Sequence, residues 1–252
     1  MAGKTEARPV WSGSLQVRSY EVGGGAAATP LALADWFQEA AGNHATSLGW
    51  AVDQLAQRGL TWVLARLHLN VASFPIWRET VTVETWPAGI DRLYALREFR
   101  VTGEDGRACV LATSGWLLLG LANRRPVRPP REISDIAANT PGRLLDDHFA
   151  KLPELDRVDH RHGFETRFFD IDLNHHVNNV AVIAWLLEAC PPELLRGGAL
   201  AELEVEFRAE AMLGDEIVAE VGRTAEDAFL HRIVRPSDGK EIARARSSWR
   251  RS

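Results

Sequence analysis

Apolar and polar residues alternate along one stretch in each half of the chain, at Leu67–Val71 and at Leu203–Phe207. A period of two residues is typical of strands with one buried and one solvated face. Glycine-containing turns at Glu104-Asp105-Gly106 and Ser237-Asp238-Gly239 indicate hairpins, because glycine accepts a positive φ. The further strands predicted on the same grounds are Thr80–Trp86, Tyr94–Val101, Ala108–Leu119, Glu216–Val221, Phe229–Val234 and Glu241–Trp249.

Two helices are predicted, and each follows a short strand and a loop. The first runs Leu31–Leu48, and Thr29 and Pro30 before it form an N-cap and N1 pair. The second runs Val177–Cys190 and ends there because Pro191 cannot continue a helix. Its apolar residues cover nearly the whole circumference, which predicts a buried helix. The short strands that precede the helices are Ser14–Tyr20 and Phe164–Phe169.

The strand, loop and helix of the first half recur 149 positions later, and the last strands recur 133 positions later. The matched pairs include Arg18 with Arg167, Tyr20 with Phe169, Trp36 with Trp185 and, at the shorter shift, Trp116 with Trp249. The shorter shift leaves about 16 extra residues in the first copy, and we assign most of them to Ala51–Leu60. Duplication of one supersecondary unit explains this pattern.

Only the second copy carries polar side chains in its loop. The polar residues and the residues that they face are Asp172 with Gly23, Asn174 with Gly25 and His176 with Ala27. The pattern indicates one working site, in the second half, and a first half that serves binding or scaffolding.

A buried helix with an antiparallel sheet wrapped around it, made twice, predicts an α+β protein of two tandem hot-dog domains. We place the N-terminal domain at residues 1–125, with a degenerate site, and the C-terminal, catalytic domain at residues 161–252. Residues 126–160, rich in proline and charge, form the predicted linker.

Composition restricts the class of protein further. A net charge of -5 argues against a general nucleic-acid binder. Cys109 and Cys190 lie in apolar runs and offer neither a disulfide framework nor a metal-binding spacing. The start, MAGKTEARPV, has no apolar signal region, and no run approaches the roughly 20 apolar residues that span a bilayer. We expect a cytoplasmic protein without stable membrane insertion, as a monomer or a homodimer.

The loop at Asp172, Asn174 and His176 is the main candidate for chemistry. In an extended segment these side chains would point to one side, directly before a helix N-terminus whose partial positive charge suits an oxyanion. A histidine there can act as an acid or a base near neutral pH. The alternative for the aspartate and asparagine is helix capping.

Other kinds of site fit the sequence less well. A calcium loop that starts at Asp170 fails because His175 stands where glycine is needed and Ala181 where glutamate is needed. The histidines at 160, 162, 175 and 176 match no strong zinc spacing. The chain has no G-x-S-x-G, so a serine nucleophile elbow is absent.

The run Asp172-x-Asn174-x-His176-Val177-Asn178-Asn179, followed by Trp185–Glu188 and Leu203–Glu210, resembles the signature of acyl-acyl carrier protein (acyl-ACP) thioesterases. These are the plant plastid enzymes and their bacterial relatives, built as tandem hot dogs. The resemblance implies a catalytic set of Asp172, Asn174, His176 and Glu210, without metal or cofactor. Some plant members carry a cysteine directly after that glutamate. Ala211 stands there in this chain, so a thiol route through that position is closed.

The resemblance implies hydrolysis of a thioester by activated water, which releases a free fatty acid from acyl-ACP and terminates fatty acid synthesis. Glu210 would accept a proton from water, while His176 and Asn174 position the water or the carbonyl. Asp172 would orient this network, and the backbone N–H near Val177 would stabilise the oxyanion. The division of the base role between Glu210 and His176 stays open.

Glu210 presents a conflict with the strand pattern. Alternation places it on the same face as Glu204, Glu206 and Arg208, which we interpret as a solvated surface. A β-bulge near Ala209, or the domain packing, must therefore turn it toward the loop. A rival base is a helix glutamate, and the candidates are Glu188 and its repeat partner Glu39. Glu188 lies 12 residues beyond His176, too far along a helix to share a water with it, and a buried structural role is expected.

The first half is the expected place for the acyl chain. The candidate lining residues are Leu33, Trp36, Phe37, Trp62 and Leu64. Acyl carrier proteins are acidic, so a local basic patch is expected to receive them. The candidate patch is Arg124, Arg125, Arg128 and Arg131, and a second one is Arg244, Arg246, Arg250 and Arg251.

Three other functions remain open at this point. A coenzyme A thioesterase of the same fold would share the chemistry and differ in the carrier. A hot-dog hydratase would need a different loop. A non-catalytic acyl-binding hot-dog protein is the alternative from another class, although the polar loop speaks against a protein that only binds.

Overall fold

The computed structural model describes residues 8–251. Residues 1–7, which form most of the stretch used above to argue against a signal segment, and residue 252 lie outside the described part. Within residues 8–251, no helix combines the length and the apolarity that crossing a lipid bilayer requires. The chain divides into two compact units, and a single strand, Leu60–Val71, contributes its first part to one unit and its second part to the other.

The first unit holds the described residues up to Leu64 together with Ala72–Asp147. Its helices are α1 (Pro30–Leu48), α2 (Val52–Ala56) and α3 (Glu132–Ala137). Its strands are β1 (Trp11–Gln16), the first part of β2 (Leu60–Val71), β3 (Thr80–Asp91), β4 (Tyr94–Thr102), β5 (Ala108–Gly120) and β6 (Pro126–Val127). The antiparallel order is β1-β3-β4-β5, and β6 pairs with β5. Helix α1 packs against β1 and β3.

The second unit holds Ala65–Val71 and the described residues from His148 onward. Its helices are α4 (Asn179–Glu188) and α5 (Pro192–Gly197), and a 3₁₀ turn covers Phe168–Asp170. Its strands are the second part of β2, β7 (His160–Glu165), β8 (Gly198–Phe207), β9 (Glu216–Ala225), β10 (Ala228–Arg235) and β11 (Lys240–Arg251). The antiparallel order is β2-β8-β11-β10-β9-β7, with α4 packed on β9 and β10. One long helix against an antiparallel sheet in each unit confirms the predicted hot-dog fold.

Local chemistry explains where the two central helices begin. The hydroxyl of Thr29 accepts the N–H of Ala32 at 3.1 Å, and Pro30 opens α1, as predicted. The side chain of Asn178 accepts the N–H of Val180 at 2.9 Å, so α4 starts two residues later than the apolar pattern suggested. Gly49, at φ 78°, ends α1 in the left-handed conformation that favours glycine.

The two strands that open the units lie earlier than predicted. In both copies the chain leaves the strand ladder, and the next backbone bonds run from Val17 N to Glu79 O and from Thr166 N to Asp215 O. The prediction was wrong at these ends because exposed aromatic residues favoured a strand on propensity alone. Tyr20, Phe168 and Phe169 are instead exposed.

Equivalent hydrogen bonds support the duplication. Trp116 Nε1 donates to Ser114 Oγ at 2.9 Å, and Trp249 Nε1 donates to Ser247 Oγ at 3.0 Å, at the shift of 133. At the end of β2 and of β8, two successive N–H groups donate to one carbonyl at a shift of 136. The fall from 149 to 136 places 13 of the 16 extra residues between Ala40 and Ala72. Helix α2 lies in the predicted segment, but α1 is also longer than α4, with 19 residues against 10, so the placement of the insertion stays a prediction.

The segment that follows α3 is more than a connector, because residues 148–157, here named the strap, cover charged side chains of the sheet. Phe149, Leu152 and Leu155 of the strap are buried. Arg66 on β2 donates to Ala150 O at 2.8 Å and to Glu204 at 2.5 Å. The predicted solvated face is therefore wrong at Glu204, which is buried and paired. The boundaries at 125/126 and 160/161 stay predictions.

A glycine allows the strap to approach β9 closely. A Cβ at Gly222 would clash with the carbonyl of Arg157 and lie 2.8 Å from Leu155 Cδ1. We expect Gly222→Ala to lower the free energy of unfolding by about 1–3 kcal/mol, because the strap must move away. Gly163→Ala on β7 is the control, since nothing lies within 4 Å of its Cβ position. Equal midpoints of denaturant unfolding for both variants would contradict this role of the strap.

His231 makes the stability of the second unit depend on pH. Its Nδ1 bonds to Leu186 O at 3.0 Å and its Nε2 to Ser247 Oγ at 2.8 Å, and burial lowers its pKa to about 4. The unfolded chain binds a proton near pH 6.5 and the folded one does not, so this stabilisation is present above pH 6.5.

We expect it to be lost as the pH falls from 6.5 to 4, by up to about 3 kcal/mol. Urea unfolding of wild type and His231→Gln across this range measures the difference. His160→Gln, at an exposed histidine, should keep the wild-type slope. An unchanged slope in His231→Gln would refute the assignment.

Candidate active site

The loop between β7 and α4 is a tight turn and not the extended segment predicted above. Asp172 N donates to His176 O at 2.9 Å, and Ile171 and Val177 form an isolated antiparallel bridge. His175 has a φ of 62°, in the left-handed region that non-glycine residues rarely adopt. The argument from alternation therefore does not apply, and hydrogen bonds place the side chains instead.

Asp172 and Asn174 lie in contact within this turn. One carboxylate oxygen of Asp172 accepts the backbone N–H of Asn174 at 2.7 Å, and the other accepts its side-chain amide at 3.3 Å. An aspartate that bonds to the backbone two residues ahead fixes a turn. Asp172 is thus the residue that sets the orientation of Asn174, whose side chain is exposed to solvent.

The second contact joins His176 to Glu210, with Nε2 and Oε2 3.1 Å apart. Their side chains are 24% and 36% exposed, so water reaches both. Glu210 reaches His176 because the alternation of β8 is interrupted before it. Arg208 N and Ala209 N both donate to Ile242 O, at 2.8 and 3.2 Å, which is a β-bulge directly after β8. The bulge predicted near Ala209 is confirmed.

Val177 does not have the role predicted for it. Its N–H donates to the carbonyl of Ala211 at 2.9 Å, so it is not available to an oxyanion, and the prediction is wrong. This bond ties the residue after His176 to the residue after Glu210. It therefore helps to hold the two side chains at their short distance.

Arg235, at the end of β10, holds the turn that follows Glu210. Its Nη1 donates to Asp215 at 2.8 Å and to the carbonyl of Glu210 at 3.3 Å. Its other nitrogens bond to Asp238 at 2.8 and 3.0 Å, which lowers the pKa of that carboxyl to about 2. The sequence reasoning missed Arg235. The two copies differ at this position, because Thr102 of the first copy corresponds to Arg235 at the shift of 133. This difference could have pointed to Arg235.

The first copy has the same backbone without the polar groups. Gly23 N bonds to Ala27 O at 2.9 Å, Ala28 N to Pro75 O at 2.7 Å, and Ala26 has a φ of 58°. The bulge is repeated as well, where the N–H groups of residues 72 and 73 share one carbonyl. At the shift of 136, Phe74 stands in the place of Glu210, so the carboxylate is replaced along with the loop residues.

The rival helix glutamates are exposed, and the predicted acyl-chain lining residues differ in their exposure. The predicted buried role of Glu188 is wrong, since it is exposed at the end of α4, and Glu39 is exposed on α1. Among the predicted lining residues, Leu33, Trp36 and Phe37 are buried, whereas Trp62 and Leu64 are partly exposed. Their contact with an acyl chain stays a prediction.

The two arginine clusters also differ. Arg124, Arg125, Arg128 and Arg131 are all exposed, and their role in docking stays a prediction. Arg244 of the second cluster is buried and bonds to Glu241 and to Leu152 O, so it cannot meet a partner. The two cysteines are buried, as expected.

Solved structures with the same fold are thioesterases. An acyl-ACP thioesterase from Bacteroides thetaiotaomicron superposes with a TM-score of 0.86 at 24% identity, over 96% of this chain and 98% of that one. A 12:0-ACP thioesterase from Umbellularia californica gives a TM-score of 0.86 at 27% identity, over 100% and 99%. The chain has the tandem hot-dog fold of thioesterases.

The family follows from the sequence matches. The model of the acyl-ACP thioesterase N-terminal domain matches residues 9–137, and that of the C-terminal domain matches residues 154–251. The chain belongs to the acyl-ACP thioesterase family. It is 33% identical to a chloroplastic palmitoyl-acyl carrier protein thioesterase of Cuphea hookeriana, over 96% of this chain and 62% of that protein. It is 31% identical to oleoyl-acyl carrier protein thioesterase 1 of Arabidopsis thaliana, over 93% and 74%.

The geometry predicts that Arg235 keeps the Glu210 turn ordered. In Arg235→Met we expect faster hydrogen exchange at the amide of Met212, which donates to Asp215 at 2.9 Å, because Asp215 loses its partner. The pKa of Asp238 should rise from about 2 toward its ordinary 3.8. Arg235→Lys keeps the positive charge but lacks the forked guanidinium, so we expect an exchange rate and an Asp238 pKa between those of the wild type and Arg235→Met. Wild-type exchange and titration in Arg235→Met would show that the turn orders itself.

Proposed function

We propose that this protein hydrolyses acyl-ACP and releases a free fatty acid, a reaction that terminates fatty acid synthesis. The observation that carries the proposal is the pairing of His176 with Glu210 at 3.1 Å, at a site that water reaches. Membership of the acyl-ACP thioesterase family supports it. The chain spans about 62–64% of the length of the first relatives that it matches, so the activity is a proposal for this chain.

The proposed reaction begins with a water bound between the His176–Glu210 pair and the thioester. The pair takes one proton as the water oxygen attacks the carbonyl carbon. The carbonyl oxygen becomes negatively charged in a tetrahedral intermediate. That intermediate then collapses, the carbon–sulfur bond breaks, and the thiolate of the carrier receives the proton. The products are a free acid and a carrier thiol, and no further reactant is needed.

The rest of the loop supplies position and charge. Helix α4 begins at Asn179, three residues after His176, and the partial positive charge of its N-terminus favours a developing oxyanion. Asn174 is fixed by Asp172 and can direct its amide to the water or to the carbonyl. In this proposal Asp172 acts through Asn174 and through the turn. A cytoplasmic location and the oligomeric state stay predictions.

Hydrolysis of a panel of acyl-ACPs, followed as free fatty acid release, tests the proposal. We expect His176→Ala and Glu210→Gln each to lower kcat by at least about 100-fold, because the pair acts on the attacking water. The double variant should be little worse than either single one, since residues that act as a unit are not additive.

Glu188→Gln is the matched control, because it removes an exposed carboxylate at the end of α4, outside the site. We expect wild-type rates from it. Tight binding of fatty acid without any release by the wild type would leave a non-catalytic acyl-binding protein. Release that survives in both His176→Ala and Glu210→Gln would remove these residues from the mechanism.

A further inference from the structure

Large apolar side chains project into solvent around the catalytic loop. Phe169 is 94% exposed, Leu173 97% and Phe168 72%, and two neighbours on the turn after Glu210 are also exposed. We name this set the apolar rim, and it consists of Phe168, Phe169, Leu173, Met212 and Leu213. Large exposed apolar patches on soluble proteins commonly mark sites where a partner binds.

One side-chain and two backbone hydrogen bonds hold the three pieces of the rim next to one another. Thr166 Oγ1 donates to Met212 O at 2.6 Å, and Gly214 N donates to Thr166 O at 3.3 Å. Asn178 N donates to Asp170 O at 2.8 Å, which brings the 3₁₀ turn against the end of the catalytic loop. The loops are fixed by these bonds and not by the apolar side chains, so folding does not account for the exposed side chains.

The first copy, here named the silent copy because it lacks the polar loop residues, shows which part of the rim accompanies the polar site. Tyr20, Ile76 and Trp77 stand where the second copy has Phe169, Met212 and Leu213, and they are exposed too. At the two remaining positions the silent copy has Ser19 and Gly24 in place of Phe168 and Leu173. On an equivalent backbone, the catalytic copy therefore carries two extra apolar groups.

We propose that the apolar rim is the docking surface for the acyl carrier protein. This inference rests on the proposed function and names where that partner binds. Leu173 stands between Asp172 and Asn174, so a protein that delivers a thioester to this loop lies against the rim. The charge at its edge is mixed, since Glu165 and Glu216 next to the rim are exposed along with Arg167. Arg167 is 78% exposed at its side chain, whereas its partner Asp170 is 11% exposed.

Hydrolysis of two matched substrates tests the docking surface. One is an acyl-ACP, and the other is acyl-pantetheine with the same chain, which presents the thioester without a protein. We expect Phe169→Ser and Leu173→Ser to raise KM for acyl-ACP about tenfold each, because the carrier loses apolar contact. Their kcat/KM for acyl-pantetheine should stay within about twofold of wild type, since both side chains point into solvent.

Two controls locate the effect. Tyr20→Ser removes the equivalent exposed aromatic residue of the silent copy and should leave both rates unchanged. Arg124→Ala with Arg125→Ala tests the arginine cluster predicted from sequence, and a selective loss on acyl-ACP there, with none in the rim variants, would move the docking surface to that cluster. Equal losses on both substrates in the rim variants would also overturn the proposal.

Binding of the holo-carrier without an acyl group separates this inference from the proposed function. Titration calorimetry should show weaker binding to Phe169→Ser and Leu173→Ser than to the wild type. A wild type that binds the carrier through the rim and hydrolyses nothing would overturn the function alone. Carrier binding that is equal in all variants would overturn the docking surface alone. Loss of a homodimer, or of binding to anionic lipid vesicles, in the rim variants with unchanged carrier binding would assign the rim to those occupants instead.

Discussion

The candidate active site depends on one irregularity of the sheet, the bulge at which Arg208 and Ala209 share the carbonyl of Ile242. A regular strand would keep Glu210 in the pattern of β8, on the face that includes the buried Glu204. The extra residue reverses that pattern and brings the carboxylate to 3.1 Å from His176. The bond from Val177 to Ala211 then holds loop and strand end together, so the distance between acid and base is set by backbone contacts.

The two copies separate the scaffold from the chemistry. Bulge, tight turn and left-handed residue all recur in the first copy, although its loop carries glycine and alanine and Phe74 replaces the glutamate. The scaffold therefore forms without any catalytic side chain. Asp172 also accepts the backbone N–H of Asn174, yet with Gly23 at its place the first copy keeps the equivalent backbone bonds. Arg235 is an exception in the second copy, since it bonds to the carbonyl of Glu210 and has only Thr102 as its counterpart.

Local patterns predicted the fold well where they act over short distances. The N-cap Thr29, the glycine turns and the alternating strands were all found from neighbouring residues. Two kinds of feature could not be found in this way. The burial of Glu204 depends on a strap about 50 residues away in sequence, which alternation cannot detect. The fate of the Val177 N–H depends on which carbonyl lies opposite, and only the paired structure provides Ala211. Glu210 itself came from a family resemblance, against the local pattern.

The silent copy bears on how this fold evolved and on how it could be engineered. The first copy keeps the turn, the bulge and the helix start without the polar side chains, so the proposed chemistry could be added there through side chains alone. Four of the differences fall at the proposed catalytic positions, where the first copy has Gly23, Gly25, Ala27 and Phe74. None of the four replaces a residue on whose side chain the backbone bonds of the first copy depend. The first copy thus has the backbone of the proposed site without the side chains proposed to carry out its chemistry.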